Sequence, residues 1–196
     1  MLYSNDYLMD FAQRTKENLK FIKEEAARQR ASGTKEEDLT VFEVTQMINS
    51  FVGFIMFPKQ EYFNVLDPNV EFITEESKRI FEKISANKEK YKYYSTYKKY
   101  DEIKKKYDDK ENEKLSAKTL ILHFRNAIGH DKLSVLPIDS GTTNIIKAFK
   151  IEDSRKFRDH IMKFSIEIPV DELEELIIGM CDLLLAHRPN AREYNG

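Results

Sequence analysis

The chain has no tryptophan, a single cysteine, and few residues that break regular structure: six glycines and five prolines in 196 residues. Cys181 alone can form neither an internal disulfide nor a zinc cluster, and its place in a predicted amphipathic helix favours a buried, apolar role. The N-terminus lacks the basic and apolar regions of a secretory signal. The most apolar run, residues 51–57, is too short to span a bilayer. We therefore expect a soluble, cytoplasmic protein with no membrane association.

Neither sign of charge dominates the chain. Lys and Arg number 32 against 34 acidic residues, for a formal net charge of -2. The whole-chain charge thus gives no attraction to nucleic acid or anionic membranes, and RNA binding would need a local basic patch. A hydrophobic content of 41% suffices for a core, while 34% charged residues are typical of helices with solvated faces. We expect one domain over residues 1–196.

Motifs of several enzyme classes are also absent. The sequence contains no His-Glu-x-x-His segment, no phosphate-binding glycine loop and no Gly-x-Ser-x-Gly elbow. None of the histidines is paired with a nearby carboxylate at metal-ligand spacing. We therefore expect neither a metal nor a cofactor. The four histidines are His123, His130, His160 and His187.

Apolar residues recur at three- and four-residue intervals in several segments, which predicts amphipathic helices. The segment Thr40-Val-Phe-Glu43 predicts a capping box, and Thr74 and Ser116 are further candidate N-caps. The predicted helices cover residues 5–31, about 40–57, a short segment after Thr74, residues 116–129 and the segment after Pro169.

Residues 88–118 are rich in lysine and tyrosine, with eleven Lys, seven acidic residues and six of the ten tyrosines. The tyrosines recur at helical spacing, so we predict a helix here. Lysine and tyrosine together are suited to RNA backbones and bases. A buried tyrosine face with a solvated Lys/Glu side is the interpretation we favour.

Strand patterns begin after His130. Residues 133–137, 145–151 and 164–168 are predicted strands, and residues 139–144 between the first two are rich in turn formers. The prediction is a mainly α (α+β) helical bundle, with a small three-stranded antiparallel β-insertion at about 132–168 before the C-terminal helix. Residues 188–196 are expected to fray.

The segment Leu120-Ile-Leu-His-Phe-Arg125-Asn126-Ala-Ile-Gly-His130 is the strongest candidate for chemistry. It places Arg, a polar neighbour and His at the end of an apolar helix. A second segment, Arg155-Lys-Phe-Arg-Asp-His160, has the same Arg-to-His spacing. It lacks the uncharged polar residue and lies between predicted strands, so we prefer the first segment.

Arg125-Asn126-x-x-x-His130 resembles the signature of the HEPN superfamily, and the apolar second helix ending in Pro58 is similar to a HEPN branch with a β-insertion. The resemblance covers most of the chain from about residue 38. It implies a HEPN endoribonuclease that leaves 2′,3′-cyclic phosphate and 5′-hydroxyl ends. It also implies homodimers with both motifs lining one cleft, and a toxin or phage-defence setting in which an antitoxin or other regulatory protein is a possible partner.

The three residue types suit this chemistry. His130 could move the proton of a ribose 2′-hydroxyl or of the leaving oxygen, and Arg125 could hold the phosphate. Asn126 could orient His130 or bind the phosphate. On an ideal helix Arg125 and His130 lie about 140° apart, so either Gly129 lets the helix end early and turns His130 inward, or two copies share the site.

Other interpretations remain open. A His at a helix end often caps carbonyl groups without any catalysis, and His123 on a similar face is explained by core packing more readily than by support of the site. The chain could also be a non-catalytic HEPN-type module that binds a nucleotide or protein. A third possibility is a structural protein whose Lys/Tyr segment docks a partner.

Overall fold

The computed structural model describes residues 7–35, 38, 43–56, 66–67, 69–109, 115–137, 146–156 and 158–187. Within these ranges the chain forms five helices and five strands. In chain order they are α1 (Tyr7–Ala31), α2 (Glu43–Met56), α3 (Glu75–Ala86), β1 (Tyr94–Asp101), β2 (Lys106–Asp109), α4 (Ala117–Gly129), β3 (Leu133–Pro137), β4 (Ile146–Lys156), β5 (His160–Pro169) and α5 (Val170–Ala186).

Helices α3 and α4 begin where the capping residues predict. The side-chain oxygen of Thr74 accepts a hydrogen bond from the backbone N–H of Ser77 and starts α3. Ser116 does the same for α4 through the backbone N–H of Thr119. Each hydroxyl satisfies a donor that has no partner within the first helical turn. The predicted capping box at Thr40, like the predicted frayed tail at 188–196, lies outside the described residues.

The sheet is larger than predicted. It has five strands in the order β2-β1-β5-β4-β3, and every neighbouring pair is antiparallel. Strands β3, β4 and β5 confirm the predicted insertion before the last helix, although β4 and β5 extend further towards their connecting turn. The remaining two strands precede α4 in the chain, so the sheet is not confined to a single insertion.

The predicted helix over residues 88–118 is wrong, because this segment contains β1 and β2. Asp101 opens the turn between them, its carboxylate accepting backbone N–H groups of Ile103 and Lys104 at 2.9 Å each. Lys105 then adopts a positive φ of 51°. Tyrosine and threonine favour extended backbone when a partner strand is available, and β5 supplies that partner from Tyr94–Ser165 to Lys99–His160.

The core joins the helices to one face of the sheet. Helix α1 packs on α2 and α5, and α4 lies between α2 and β4. Cys181 is fully buried in α5, and burial raises the pKa of its thiol, in agreement with the predicted apolar role. Among the described helices, none is long and apolar enough to cross a bilayer.

Candidate active site at the end of helix α4

Helix α4 is held between two layers of the fold. Its buried residues include Leu120, Phe124 and Ala127, all at 0% exposure. The ring of Phe124 meets Phe51 of α2 edge to face at 5.8 Å. The helix also packs on β4. Residues 125 and 126 are half-buried, at the margins of these contacts.

The C-terminus of α4 is closed by a backbone motif that leaves His130 exposed. His130 is the C-cap, and Asp131 follows with a positive φ of 54°. The N–H of Asp131 bonds the carbonyl of Ile128 at 3.2 Å, and that of Lys132 bonds Ala127 at 2.8 Å. These two bonds form a Schellman motif. Gly129 remains helical, so the alternative in which it turns His130 inward is wrong.

Asn126 is anchored by a carboxylate that the sequence analysis did not select. Its Nδ2 donates to Oδ2 of Asp153 at 3.1 Å. Asp153 lies on β4 and is only 3% exposed. Because a carboxylate offers only acceptors at this contact, the amide nitrogen must face it. The amide oxygen of Asn126 is therefore directed away from Asp153.

His123 contacts the same carboxylate from one turn earlier in α4. Its Nδ1 lies 2.9 Å from Oδ2 of Asp153, and both side chains are buried. The imidazole also stacks on Phe164 of β5, with ring centroids 4.3 Å apart and planes within 9°. At this contact an Nδ1–H of the imidazole donates to a carboxylate oxygen, which accepts. His123 is thus both a core residue and part of the polar network next to Asn126.

Arg155, from the rejected second segment, is the third residue bound to Asp153. Its Nε donates to Oδ1 at 3.3 Å, and its side chain is 27% exposed. One buried carboxylate therefore binds His123 and Asn126 of α4 together with Arg155 of its own strand. Such a network compensates the desolvation of the carboxylate and fixes α4 on the sheet.

Arg125 lies on a different side of the helix. Residues 125 and 129 share a face, and a Cβ on Gly129 would lie 3.5 Å from the terminal methyl of Met56, so this face borders the end of α2. The Nε of Arg125 is buried and has no hydrogen-bond partner within the described residues. In the described part of the chain, no hydrogen bond joins Arg125 to Asn126 or His130.

Asp153 was missed because the predicted strand ended at residue 151. Buried positions on β4 alternate as Phe149, Ile151 and Asp153. A carboxylate that continues an inward-facing alternation needs polar partners on the opposing element. Extending the strand by one pair of residues would have identified it from the sequence.

Comparison with known proteins points to the same family as the segment at the end of α4. A family model described as HEPN pEK499 p136 matches residues 1–191. The chain therefore belongs to the HEPN superfamily, which indicates a nuclease or a nucleotide-binding module. No curated protein and no solved structure matches the chain.

Proposed function

We propose that the protein is a HEPN endoribonuclease that cleaves RNA without a metal ion, by attack of the ribose 2′-hydroxyl to give a 2′,3′-cyclic phosphate. One observation carries this proposal. The family motif ends α4 with His130 exposed, while Asn126, one turn earlier, is anchored by the buried carboxylate of Asp153. The backbone thus presents the histidine to solvent beside a fixed amide.

His130 is suited to proton transfer. Its imidazole makes no hydrogen bond or ion pair with the part of the chain that the structure describes, so both ring nitrogens are open to a substrate. Imidazoles exchange protons near neutral pH, which allows one to accept the 2′-hydroxyl proton or protonate the leaving 5′-oxygen. The Schellman motif fixes the backbone of this residue but not its ring.

Arg125 is suited to bind the phosphate. A guanidinium is charged at every working pH and can donate to two phosphate oxygens at once. Its side chain is half-buried, and Nε is enclosed without a hydrogen-bond partner in the described residues. A phosphate would bind the terminal NH2 groups and would be stabilised there as negative charge develops on it.

Asn126 presents an acceptor on the side away from Asp153. The hydrogen bond to Asp153 uses one N–H of its amide, so the amide oxygen is left to face the site together with the second N–H. An acceptor can orient a protonated ring nitrogen of His130 or a ribose hydroxyl, whereas binding a phosphate needs donors. Of the two roles that its position suggests, we assign Asn126 to orientation.

We propose that the working form is a homodimer. Arg125 borders the end of α2, about 100° around the helix from Asn126, and no hydrogen bond joins it to His130 within the described residues. Two copies facing each other would bring the arginine of one protomer to the histidine of its partner. Met56, at the end of α2 and 40% exposed, would be covered by such an arrangement. A cytoplasmic toxin or phage-defence role, controlled by an antitoxin or other regulatory protein, is the setting that we propose for this activity.

The test is cleavage of structured and single-stranded RNA in EDTA by the wild type, Arg125→Ala and His130→Ala, with the cut ends mapped. His187→Ala is a matched control, since His187 is the C-cap of α5 as His130 is of α4. Cyclic phosphate ends from the wild type and His187→Ala alone would support the proposal. Equal cleavage by all four folded proteins would refute the assignment of Arg125 and His130 to the catalytic site.

A second candidate function is a nucleotide-binding module without cleavage, and one feature favours it. A cavity of about 420 Å³ lies beside the N-terminus of α4, a volume that suits a small ligand. Lys78 and Phe81 of α3 line it together with Ser116. Helix N-termini attract phosphate. Nucleotide binding that survives His130→Ala, without cleavage by the wild type, would favour this function.

A further inference from the structure

The antiparallel register arranges side chains in rows across one face of the sheet. Residues paired across antiparallel strands share a face, as do residues two apart along one strand. The first row joins Asp153, Phe164 and Ser95, and the second joins Arg155, Met162 and Tyr97. The third row includes His160 and Lys99. Rows two residues apart are separated by about 7 Å.

Helix α4 packs on the first row, and the side chains of the next two rows are less buried. Phe164 is 2% exposed beneath His123, and Asp153 is bonded to the helix. In the second and third rows the side chains are half-buried, except for Lys99, which is exposed. This face of the sheet is therefore partly exposed next to the residues of the candidate site. We call these five residues the sheet platform: Arg155, Met162, Tyr97, His160 and Lys99.

The composition of the sheet platform matches a nucleic-acid surface. Tyr97 and His160 place their rings 5.4 Å apart at 37°, a tilted pair beside the methionine. Arg155 and Lys99 add positive charge, partly offset by the carboxylates that Arg155 and His160 contact, Asp153 and Asp159. Aromatic rings that stack with bases, next to cations that contact phosphates, are how proteins bind single strands without a fixed sequence.

We propose that the sheet platform binds the single-stranded RNA next to the scissile phosphate, an inference that rests on the proposed function. Continuity with the site supports it. Arg155 and Asn126 bond the same carboxylate, and His130 lies about 6 Å further along α4 than Asn126. A strand lying across Tyr97 and Arg155 would therefore lead directly to the catalytic segment.

The opposite face of the same strands provides matched controls. Tyr94 is 49% exposed on β1 and Lys163 is exposed on β5. Tyr94 pairs with Ser165, and Lys163 pairs with Thr96 and Ser154, so both lie on the face away from α4. A tyrosine and a lysine can thus be changed on either face of the same strands.

The experiment measures binding separately from cleavage. In the His130→Ala protein, affinity for a fluorescent single-stranded RNA is measured by anisotropy over a range of salt concentrations. We expect Tyr97→Leu to weaken binding about tenfold, and Lys99→Gln to lower the slope of log K against log salt by about one. Tyr94→Leu and Lys163→Gln should change neither quantity. Matching thermal melts confirm that each variant is folded.

Each outcome decides one claim. Unchanged binding in both Tyr97→Leu and Lys99→Gln overturns the sheet platform, whether or not the wild type cleaves RNA. Equal loss on both faces also overturns it, since the binding would be non-specific. Loss confined to the platform supports the inference even if the wild type does not cleave, in which case the nuclease proposal alone fails. An absence of RNA binding, with capture of a protein partner by this face, overturns it in favour of a protein interface.

Discussion

Two segments of this chain carry an arginine five residues before a histidine, and they differ in what the fold does with those side chains. Arg125 and His130 close a helix, while Arg155 and His160 flank the turn between β4 and β5. Arg155 bonds Asp153 and His160 bonds Asp159. The Nε of Arg125 and the imidazole of His130 have no hydrogen-bond partner within the described residues. Spacing alone does not distinguish the segments, but the partners do.

The two segments also meet at one residue. Asp153 holds Asn126 of the first segment and Arg155 of the second. The second segment, which the sequence analysis ranked below the first, is therefore part of the support beneath it. On this comparison, proton transfer and phosphate binding are proposed for Arg125 and His130, whereas the bonded side chains support the site or bind RNA. Experiment can separate these roles.

The largest expected effect is on turnover. His130→Ala should lower kcat for RNA cleavage by at least about 100-fold, the usual contribution of a general acid or base. His160→Ala should leave kcat within a few-fold, because that imidazole is engaged with Asp159. Steady-state cleavage at saturating RNA measures both values of kcat. A larger loss in His160→Ala than in His130→Ala would reverse the assignment of the two segments.

The next largest effect is on stability. Asp153→Ala should lower the free energy of unfolding by about 3 kcal/mol, because it leaves the buried His123 and the half-buried Asn126 and Arg155 without their common acceptor. Urea denaturation measures this. The neighbouring Ser154→Ala, at an exposed position on the other face of β4, is the control and should change stability by under about 0.5 kcal/mol. A similar loss in both variants would mean that β4, and not the carboxylate, is what the substitution disturbs.

Local signals predicted much of the fold. The caps at Thr74 and Ser116, the apolar spacing of the helices and the alternation in β5 all reside in short stretches of sequence, and the structure confirms them. The Lys/Tyr segment was mispredicted because its pairing with β5 joins residues far apart in the chain. Tyrosines at three- and four-residue intervals fit a helix until a partner strand is known.

In the candidate site, as in the fold, local features were predictable from the sequence and contacts between distant segments were not. The motif residues follow from the sequence, and so does the end of α4 near Gly129. The burial of Asp153 continues the local alternation of β4, but its partners depend on which helix lies over that strand, and no local pattern specifies that packing. Asp131, and not Gly129, adopts the positive φ that closes the helix. The sequence did not predict this, since glycine is the usual residue at such positions.

A smaller effect, on KM and not on kcat, is expected from a substitution in the second segment. Arg155→Ala removes one partly exposed bond to Asp153, so we expect it to lower the free energy of unfolding by under about 1 kcal/mol. The KM for RNA should rise several-fold while kcat is kept, because His123 and Asn126 still hold the carboxylate. Steady-state kinetics measure the two constants. A fall in kcat with an unchanged KM would instead place Arg155 in the catalytic step.

The smallest effect tests the turn that carries His160. The hydrogen bond from His160 lowers the pKa of the Asp159 carboxyl. A lowered pKa adds stability above the unfolded-state value, near 3.8, and that stability is lost as pH falls through the folded-state value. In His160→Ala the pKa of Asp159 should rise towards its ordinary value, which a titration of the carboxyl carbon by NMR can follow. The matched change His130→Ala should leave Asp159 unmoved. A shift of equal size in both variants would show that the two histidines share an environment, and the contrast between the bonded and the open segment would then fail.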